Sequence, residues 1–129
     1  MKHLSIQLND LPDEIIVIIL TKLYNADVLY SLIGVNKRLS TIAHDSIFTS
    51  HLTLTYFLDD FTYPLPDPML DRFCSQILHE IHHKIQWLNV EPTSMQRILR
   101  ATNYPNLYGL GLYDIDVKEA ISLLTGKLF

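Results

Sequence analysis

Residues 15–20, IIVIIL, are the longest uninterrupted apolar run of the chain, and they follow an LPDE segment at residues 11–14. The run alone would fit either a buried strand or a helix. The LPDE segment favours a helix, because proline suits the first helical turn and acidic side chains are stabilised at the positive end of the helix dipole. We therefore predict a helix whose aliphatic positions include Ile15, Ile16, Ile19, Leu20 and Leu23.

Two further short helices are predicted directly after the first. Asn25 is a candidate cap for a helix over residues 26–33, which Gly34 would end. Asn36 is a candidate cap for a third helix over residues 37–44. Because the connections are short, we expect the three helices to pack into a small bundle.

Composition narrows the class of protein. The chain has 129 residues, 48% of them apolar, and a formal net charge of −4. This composition excludes a disordered chain and argues against a nucleic-acid partner, since such binders usually carry a basic stripe. The apolar run is far shorter than the roughly 20 residues that cross a bilayer, and residues 1–10 lack an apolar core of signal-peptide length. With Cys74 as its one cysteine, we expect an intracellular protein, cytoplasmic or nuclear, without a membrane partner.

The middle of the chain changes in character. Residues 51–55, HLTLT, alternate apolar and polar side chains and predict a strand. Residues 57–68 hold three prolines and three aspartates, which indicates a loop or an insertion rather than the interior of an element. From Met69 onward the apolar spacing is again that of a helix.

The last part of the chain contains an internal repeat. Residues 85–90, IQWLNV, and residues 107–112, LYGLGL, share an apolar-x-x-Leu-x-apolar pattern at an offset of 22 residues. A period of this length, with a helical pattern after each strand, is typical of leucine-rich repeats, whose units must stack to bury their apolar faces. A plain α+β domain is the alternative.

The same period bears on the end of the chain. A third copy would begin at Phe129, the last residue, after Gly126 had ended the preceding helix. We therefore expect a fragment or an uncapped array that self-associates or frays from about residue 113 onward, because repeat arrays need a polar terminal cap.

Residues 8–54 resemble an F-box. The blocks that carry the resemblance are LPDE at residues 11–14, the aliphatic helix after it, DVL at residues 27–29 and VNKR at residues 35–38. Members of that family often have cysteine at the place of Asn36 and tryptophan at the place of Leu39.

The resemblance implies a non-catalytic substrate receptor of a Skp-cullin-F-box ubiquitin ligase, which needs no cofactor. An F-box-like three-helix domain at residues 1–50 would bind the Skp-type adaptor of the cullin-RING ligase. A leucine-rich-repeat-like segment at residues 51–129 would bind a protein substrate. The expected fold class is therefore mainly α with α/β repeats. The implied adaptor contacts are Leu11, Pro12, Glu14, Ile15, Ile18, Ile19, Leu23, Leu29, Leu32, Val35, Lys37, Arg38 and Leu39.

The physical character of these residues leaves alternatives open. A bundle this small cannot bury every side chain of the aliphatic helix, so the helix is expected to divide between core and interface. Lys37 and Arg38 fit either a solvated helix start or the polar rim of an interface. Trp87, Tyr108 and Tyr113 are candidates for substrate contacts, because aromatic side chains make good interface anchors, with packing at strand ends as the alternative.

One motif suggests an enzyme instead. Residues 79–83, HEIHH, contain the H-E-x-x-H pattern of zinc hydrolases, in which two histidines on one helix face bind the metal. The repeat phase predicts a turn at residues 82–84, which would separate His79 from His83. Positions that could supply a third ligand hold Gln86 and Asn89. A surface histidine cluster without metal is the preferred interpretation, and a repeat scaffold with no ligase role is a further alternative.

Overall fold

The structure of the protein, a computed structural model, describes residues 5, 7, 10–122 and 125. Four short helices open it, followed by a strand and a hairpin, and helices then alternate with two more strands. The helices are α1 (Asp13–Leu20), α2 (Asn25–Leu32), α3 (Lys37–Ala43), α4 (Ser46–Thr49), α5 (Asp67–Arg72), α6 (Leu78–Ile81), α7 (Pro92–Ala101) and α8 (Val117–Ser122). The strands are β1 (His51–Thr53), β2 (Thr55–Leu58), β3 (Phe61–Pro64), β4 (Trp87–Val90) and β5 (Gly109–Leu112).

Local sequence signals explain most of the first helices. Pro12 stands directly before α1, and the acids of its first turn follow. The side chain of Asn36 accepts a hydrogen bond from the backbone of Leu39 and caps α3 as predicted. Gly34 lies just beyond α2 with a φ of 88°, a conformation that glycine adopts without strain.

The prediction that Asn25 caps α2 through its side chain is wrong. Asn25 is the first residue of α2, and its amide instead donates to the carbonyl of His51 and accepts from the amide of Thr53. The side chain thereby pairs with the free edge of β1 as a neighbouring strand would.

Two small sheets follow the helices. In the first, β1, β4 and β5 are parallel with β4 in the centre, and His51 lies opposite Trp87, which lies opposite Gly109. The second sheet is the antiparallel hairpin of β2 and β3. The prediction of a loop over residues 57–68 is wrong, because β2 and β3 pair across much of this segment. Asp59 and Asp60 form the tight two-residue turn between the strands, with positive φ values of 49° and 67°. Aspartate tolerates this left-handed conformation, which hairpin turns require.

The helix predicted from Met69 is present and begins two residues earlier, at Asp67. It begins as α5, passes through a π-helical turn at Phe73–Ile77 and ends as α6. Residues 82–84 form turns, as the phase of the strands predicted. Within the residues that the structure describes, no helix is long and apolar enough to cross a membrane.

The predicted fold class is wrong. The chain forms a small mixed α/β domain with two small sheets rather than a stack of leucine-rich repeats. The offset of 22 residues does place β4 beside β5, with Leu88 opposite Leu110. However, a hairpin and an interrupted helix separate β1 from β4, so no unit recurs along the sheet. The repeated pattern reflects the parallel crossover from β4 through α7 to β5. In β4 the alternate residues Leu88 and Val90 are buried, and in β5 Leu110 and Leu112 are partly buried against the core.

The expectation of an uncapped repeat array loses its basis with that correction. Gly126 and Phe129, on which it depended, lie outside the described residues. In the described part of this end, α8 has no buried residue.

A continuous buried cluster joins the first helices to the sheet and to α7. It runs from Ile16 in α1 to Ile98 in α7 and crosses the predicted domain boundary at residues 50 and 51. Two hydrogen bonds of Arg72 also span that boundary. Its guanidinium donates to the carbonyls of Tyr30 (2.7 Å) and Ile33 (2.6 Å) at the end of α2. The division into two domains stays a prediction.

Candidate functional site

The aliphatic helix α1 divides its side chains between the core and the surface. Ile16 and Leu20, one turn apart, are buried. Ile15, Ile18 and Ile19 point away from the core and are 42%, 57% and 43% exposed. Sequence alone could not separate these sides, because the helix is aliphatic at nearly every position.

Leu23 lies three residues beyond the end of α1 and is 54% exposed. We name the four exposed residues the α1 face. Large exposed aliphatic side chains that recur on one side of a helix are typical of a surface that binds another protein. The α1 face consists of Ile15, Ile18, Ile19 and Leu23.

Arg38 fixes the start of α1. Its Nε donates to Asp13 Oδ1 at 2.8 Å, and its guanidinium also donates to the carbonyl of Leu11. Arg38 is therefore engaged within the chain, whereas its neighbour Lys37 is exposed. The contacts hold the first turn of α1 against α3, which orients the α1 face.

The other predicted adaptor contacts differ in accessibility. Leu11 is partly buried against the core, and Pro12, Glu14 and Val35 are exposed. The remaining three are buried, so they stabilise the bundle and present no surface to a partner in this conformation. These buried residues are Leu29, Leu32 and Leu39.

Two of the three predicted substrate contacts lie together on the outer side of the parallel sheet. The rings of Trp87 and Tyr108 meet edge to face with their centroids 5.7 Å apart. The Tyr108 hydroxyl lies 3.2 Å from Nε2 of His51, which the sequence analysis did not single out. The parallel register that pairs β1 with β4 brings His51 to this cluster.

Glycines on β5 make room for the side chains of β4. A Cβ atom at Gly109 would lie 2.1 Å from the Trp87 ring, and one at Gly111 would lie 2.0 Å from Asn89 Oδ1. Asn89 accepts from the Trp87 indole at 2.8 Å and donates to Thr53 at 3.0 Å. These hydrogen bonds fix the Trp87 ring across the sheet.

Tyr113, the third predicted contact, is separate from that cluster. Its ring meets the ring of Phe57 with a centroid distance of 5.0 Å, at the junction between β5 and the hairpin. Sequence reasoning missed Phe57 and the exposed hairpin residues Leu58, Phe61 and Tyr63, because the prolines and aspartates of this segment indicate a loop. Three aromatic residues within residues 57–63 were the available signal.

The HEIHH segment does not form the helix face that a zinc site needs. His79 lies in α6, which ends at Ile81, so His83 is beyond the helix. The Nδ1 atom of His82 lies 3.0 Å from the carbonyl of Asn103. Among the described residues, no group of three or more His, Cys, Asp or Glu side chains could hold a metal ion.

The surroundings of Glu91 and Cys74 give each a structural role and no sign of catalysis. Glu91 is buried and accepts hydrogen bonds from the backbones of Thr93 and Ser94, which caps α7. Burial raises the pKa of the Cys74 thiol, which keeps it in the less nucleophilic protonated form.

Comparison with known proteins adds no relative to this description. No protein-family model matches the chain, and neither a curated protein nor a solved structure matches it.

Proposed function

We propose that this protein is a non-catalytic receptor subunit of a Skp-cullin-F-box type ubiquitin ligase. In this proposal the F-box-like helices bind the Skp-type adaptor, and the sheet and hairpin region binds a protein substrate. The chain would act in the cytoplasm or nucleus, where its single cysteine stays reduced.

The α1 face is the observation that carries the proposal. A surface that exposes three isoleucines on one side of a short helix gains free energy when a partner removes them from water. The F-box resemblance supplies the identity of that partner. Two of the sequence blocks that carry the resemblance, the LPDE segment and the aliphatic run after it, form the start and the body of α1, whose exposed side is the α1 face.

Polar contacts complement the apolar face. Glu14 and Lys37 are exposed at the starts of α1 and α3 and fit the rim of such an interface. Arg38 would act by positioning α1, since its guanidinium is bound to Asp13 and to the Leu11 carbonyl.

The proposed substrate surface is the outer side of the parallel sheet together with the hairpin. Trp87, Tyr108 and Tyr113 all lie in this region, and Tyr108 is the most exposed of them at 67%. Held aromatic side chains lose little conformational entropy on binding, which makes them good anchors.

Co-purification with the adaptor and the cullin tests the proposal. The full chain is expressed with an affinity tag, unmodified or as Ile18→Glu. A charge in the centre of an apolar interface should reduce capture of both proteins by about thirtyfold or more.

A matched control separates the α1 face from general surface effects. Ile47 in α4 is 56% exposed, nearly the same as Ile18, and lies outside the α1 face. Ile47→Glu should leave capture unchanged. Equal capture by Ile18→Glu and the unmodified chain would contradict the proposed function.

A further inference from the structure

The hairpin of β2 and β3 presents a preformed apolar surface. Leu58 lies opposite Phe61, and Tyr56 lies opposite Tyr63, so these four side chains share one side of the hairpin. Leu58, Phe61 and Tyr63 are 61%, 63% and 47% exposed. We name these three exposed residues the hairpin face.

Tyr56 anchors the hairpin to the helices. Its ring packs edge to face on Tyr24 at a centroid distance of 5.2 Å, and its hydroxyl donates to Asp27. Burial and the bond to Asp27 raise the pKa of Tyr56 to about 12, so the donor stays protonated.

Hydrogen bonds also fix the hairpin on its other side. The Thr55 hydroxyl donates to the Tyr63 carbonyl at 2.8 Å, and the Thr62 amide donates to Asp114 Oδ2 at 3.0 Å. A surface fixed on both sides loses little entropy when a partner binds.

The turn of the hairpin carries acidic charge beside the hairpin face. Residues 55–64 contain two aspartates and no lysine or arginine. Asp59 and Asp60 form the turn beside Leu58 and Phe61, and neither carboxylate has a hydrogen-bond or ion-pair partner among the described residues. A bound segment that carries lysine or arginine would pair with these carboxylates and place its cation near the aromatic rings.

We propose that the hairpin face, with Asp59 and Asp60, docks a basic segment of a partner protein that also carries apolar side chains. The apolar side chains would cover Leu58 and Phe61, and lysine or arginine would meet the turn. The inference deepens the proposed function. The identification of the partner as the substrate rests on that function, whereas the docking of a basic segment does not.

A peptide selection tests this inference directly, since it needs no identified partner. A random twelve-residue phage-display library is selected on the full chain, and affinities of the retained peptides are measured by fluorescence anisotropy. We expect retained peptides to be enriched in lysine or arginine beside aliphatic residues, with affinity that falls as salt rises. A selection that retains no peptide, or only peptides without basic residues, would overturn the proposal.

Variants locate the site of binding. Phe61→Ala should weaken the retained peptides by about tenfold, and the double change Asp59→Asn with Asp60→Asn by about threefold to tenfold at low salt. The matched controls Ile47→Ala and Glu80→Gln change exposed residues elsewhere and should leave affinity unchanged. All four variants should retain the thermal midpoint of the unmodified chain, because the changed side chains are exposed.

The adaptor serves to distinguish this inference from the proposed function. Hairpin variants should bind the Skp-type adaptor normally, whereas Ile18→Glu should bind the peptides normally. If Phe61→Ala weakens adaptor binding and leaves peptide binding unchanged, the hairpin belongs to the adaptor interface and the inference is overturned. If the adaptor never binds but the peptide results hold, the proposed function fails and the basic-segment site remains.

Discussion

The indole ring of Trp87 on β4 covers the backbone of Gly109 on β5, so closely that a Cβ atom at position 109 would lie 2.1 Å from the ring. Glycine is required there for close approach, and it sets the position of one of the proposed substrate anchors. The contact also links two strands that lie side by side in the parallel sheet.

Gly109→Ala should therefore displace the Trp87 ring. We expect a loss of about 1–3 kcal/mol in the free energy of unfolding, as for other overpacked sites. Because Trp87 is the one tryptophan of the chain, its fluorescence reports the displacement directly. In a Trp87→Ala background the added methyl has no ring to meet, so Gly109→Ala should cost much less there. If Gly109→Ala lowers the free energy of unfolding equally in both backgrounds, the Trp87 ring does not limit the space at position 109.

Arg72→Ala should destabilise the chain by about 2 kcal/mol, because the guanidinium satisfies two carbonyls at the end of α2. The guanidinium carbon of Arg72 also lies over the Tyr30 ring, 5.3 Å from the ring centroid. Arg97→Ala is the matched control, since Arg97 pairs with Asp71 on the surface, where such pairs contribute little to stability. Urea unfolding of both variants measures the difference, and equal losses would exclude this role of Arg72.

Asp114 should make the junction between the hairpin and β5 sensitive to acid. Its hydrogen bonds from Thr62 hold the pKa of the Asp114 carboxyl below its usual value. A carboxyl with a lowered folded-state pKa contributes stability above its unfolded pKa of about 3.9, and the contribution is lost as pH falls through the lower folded pKa. Exchange of the Thr62 amide, followed by NMR, should therefore accelerate below about pH 4 relative to neighbouring strand amides. Asp114→Asn should remove this dependence, and an unchanged profile in that variant would refute it.

How much of the fold the sequence predicts depends on whether the signal is local. The cap at Asn36 was predicted because capping chemistry acts within a few residues. The turn after Ile81 was predicted from the phase of the two matching strand patterns, which identified where β4 begins. The role of Asn25 at the edge of β1 was missed, since its partners are His51 and Thr53, far along the chain.

The fold class failed for a related reason. The offset of 22 residues identified two strands that do pair, but a pair of strands does not distinguish a repeat array from a single crossover. The hairpin was missed because its turn consists of Asp59 and Asp60 without glycine, and because Pro64 ends β3 and two further prolines follow it.

The candidate site was predictable only in part. The sequence indicated that α1 has more aliphatic side chains than a small core can bury, but the outward side follows from which of them join the buried cluster. Ile16 and Leu20 are buried while Ile15, Ile18 and Ile19 are exposed, although all five belong to one aliphatic run.

Hydrogen exchange of the full chain, with and without a purified Skp-type adaptor, tests the central claim most directly. If the α1 face is the adaptor-binding surface, exchange should slow in residues 13–23 and stay unchanged in β4 and in the hairpin, which lie outside that interface. Ile18→Glu should abolish the slowing, while Ile47→Glu should retain it. Unchanged exchange in residues 13–23 at saturating adaptor, or slowing confined to another part of the chain, would contradict the account.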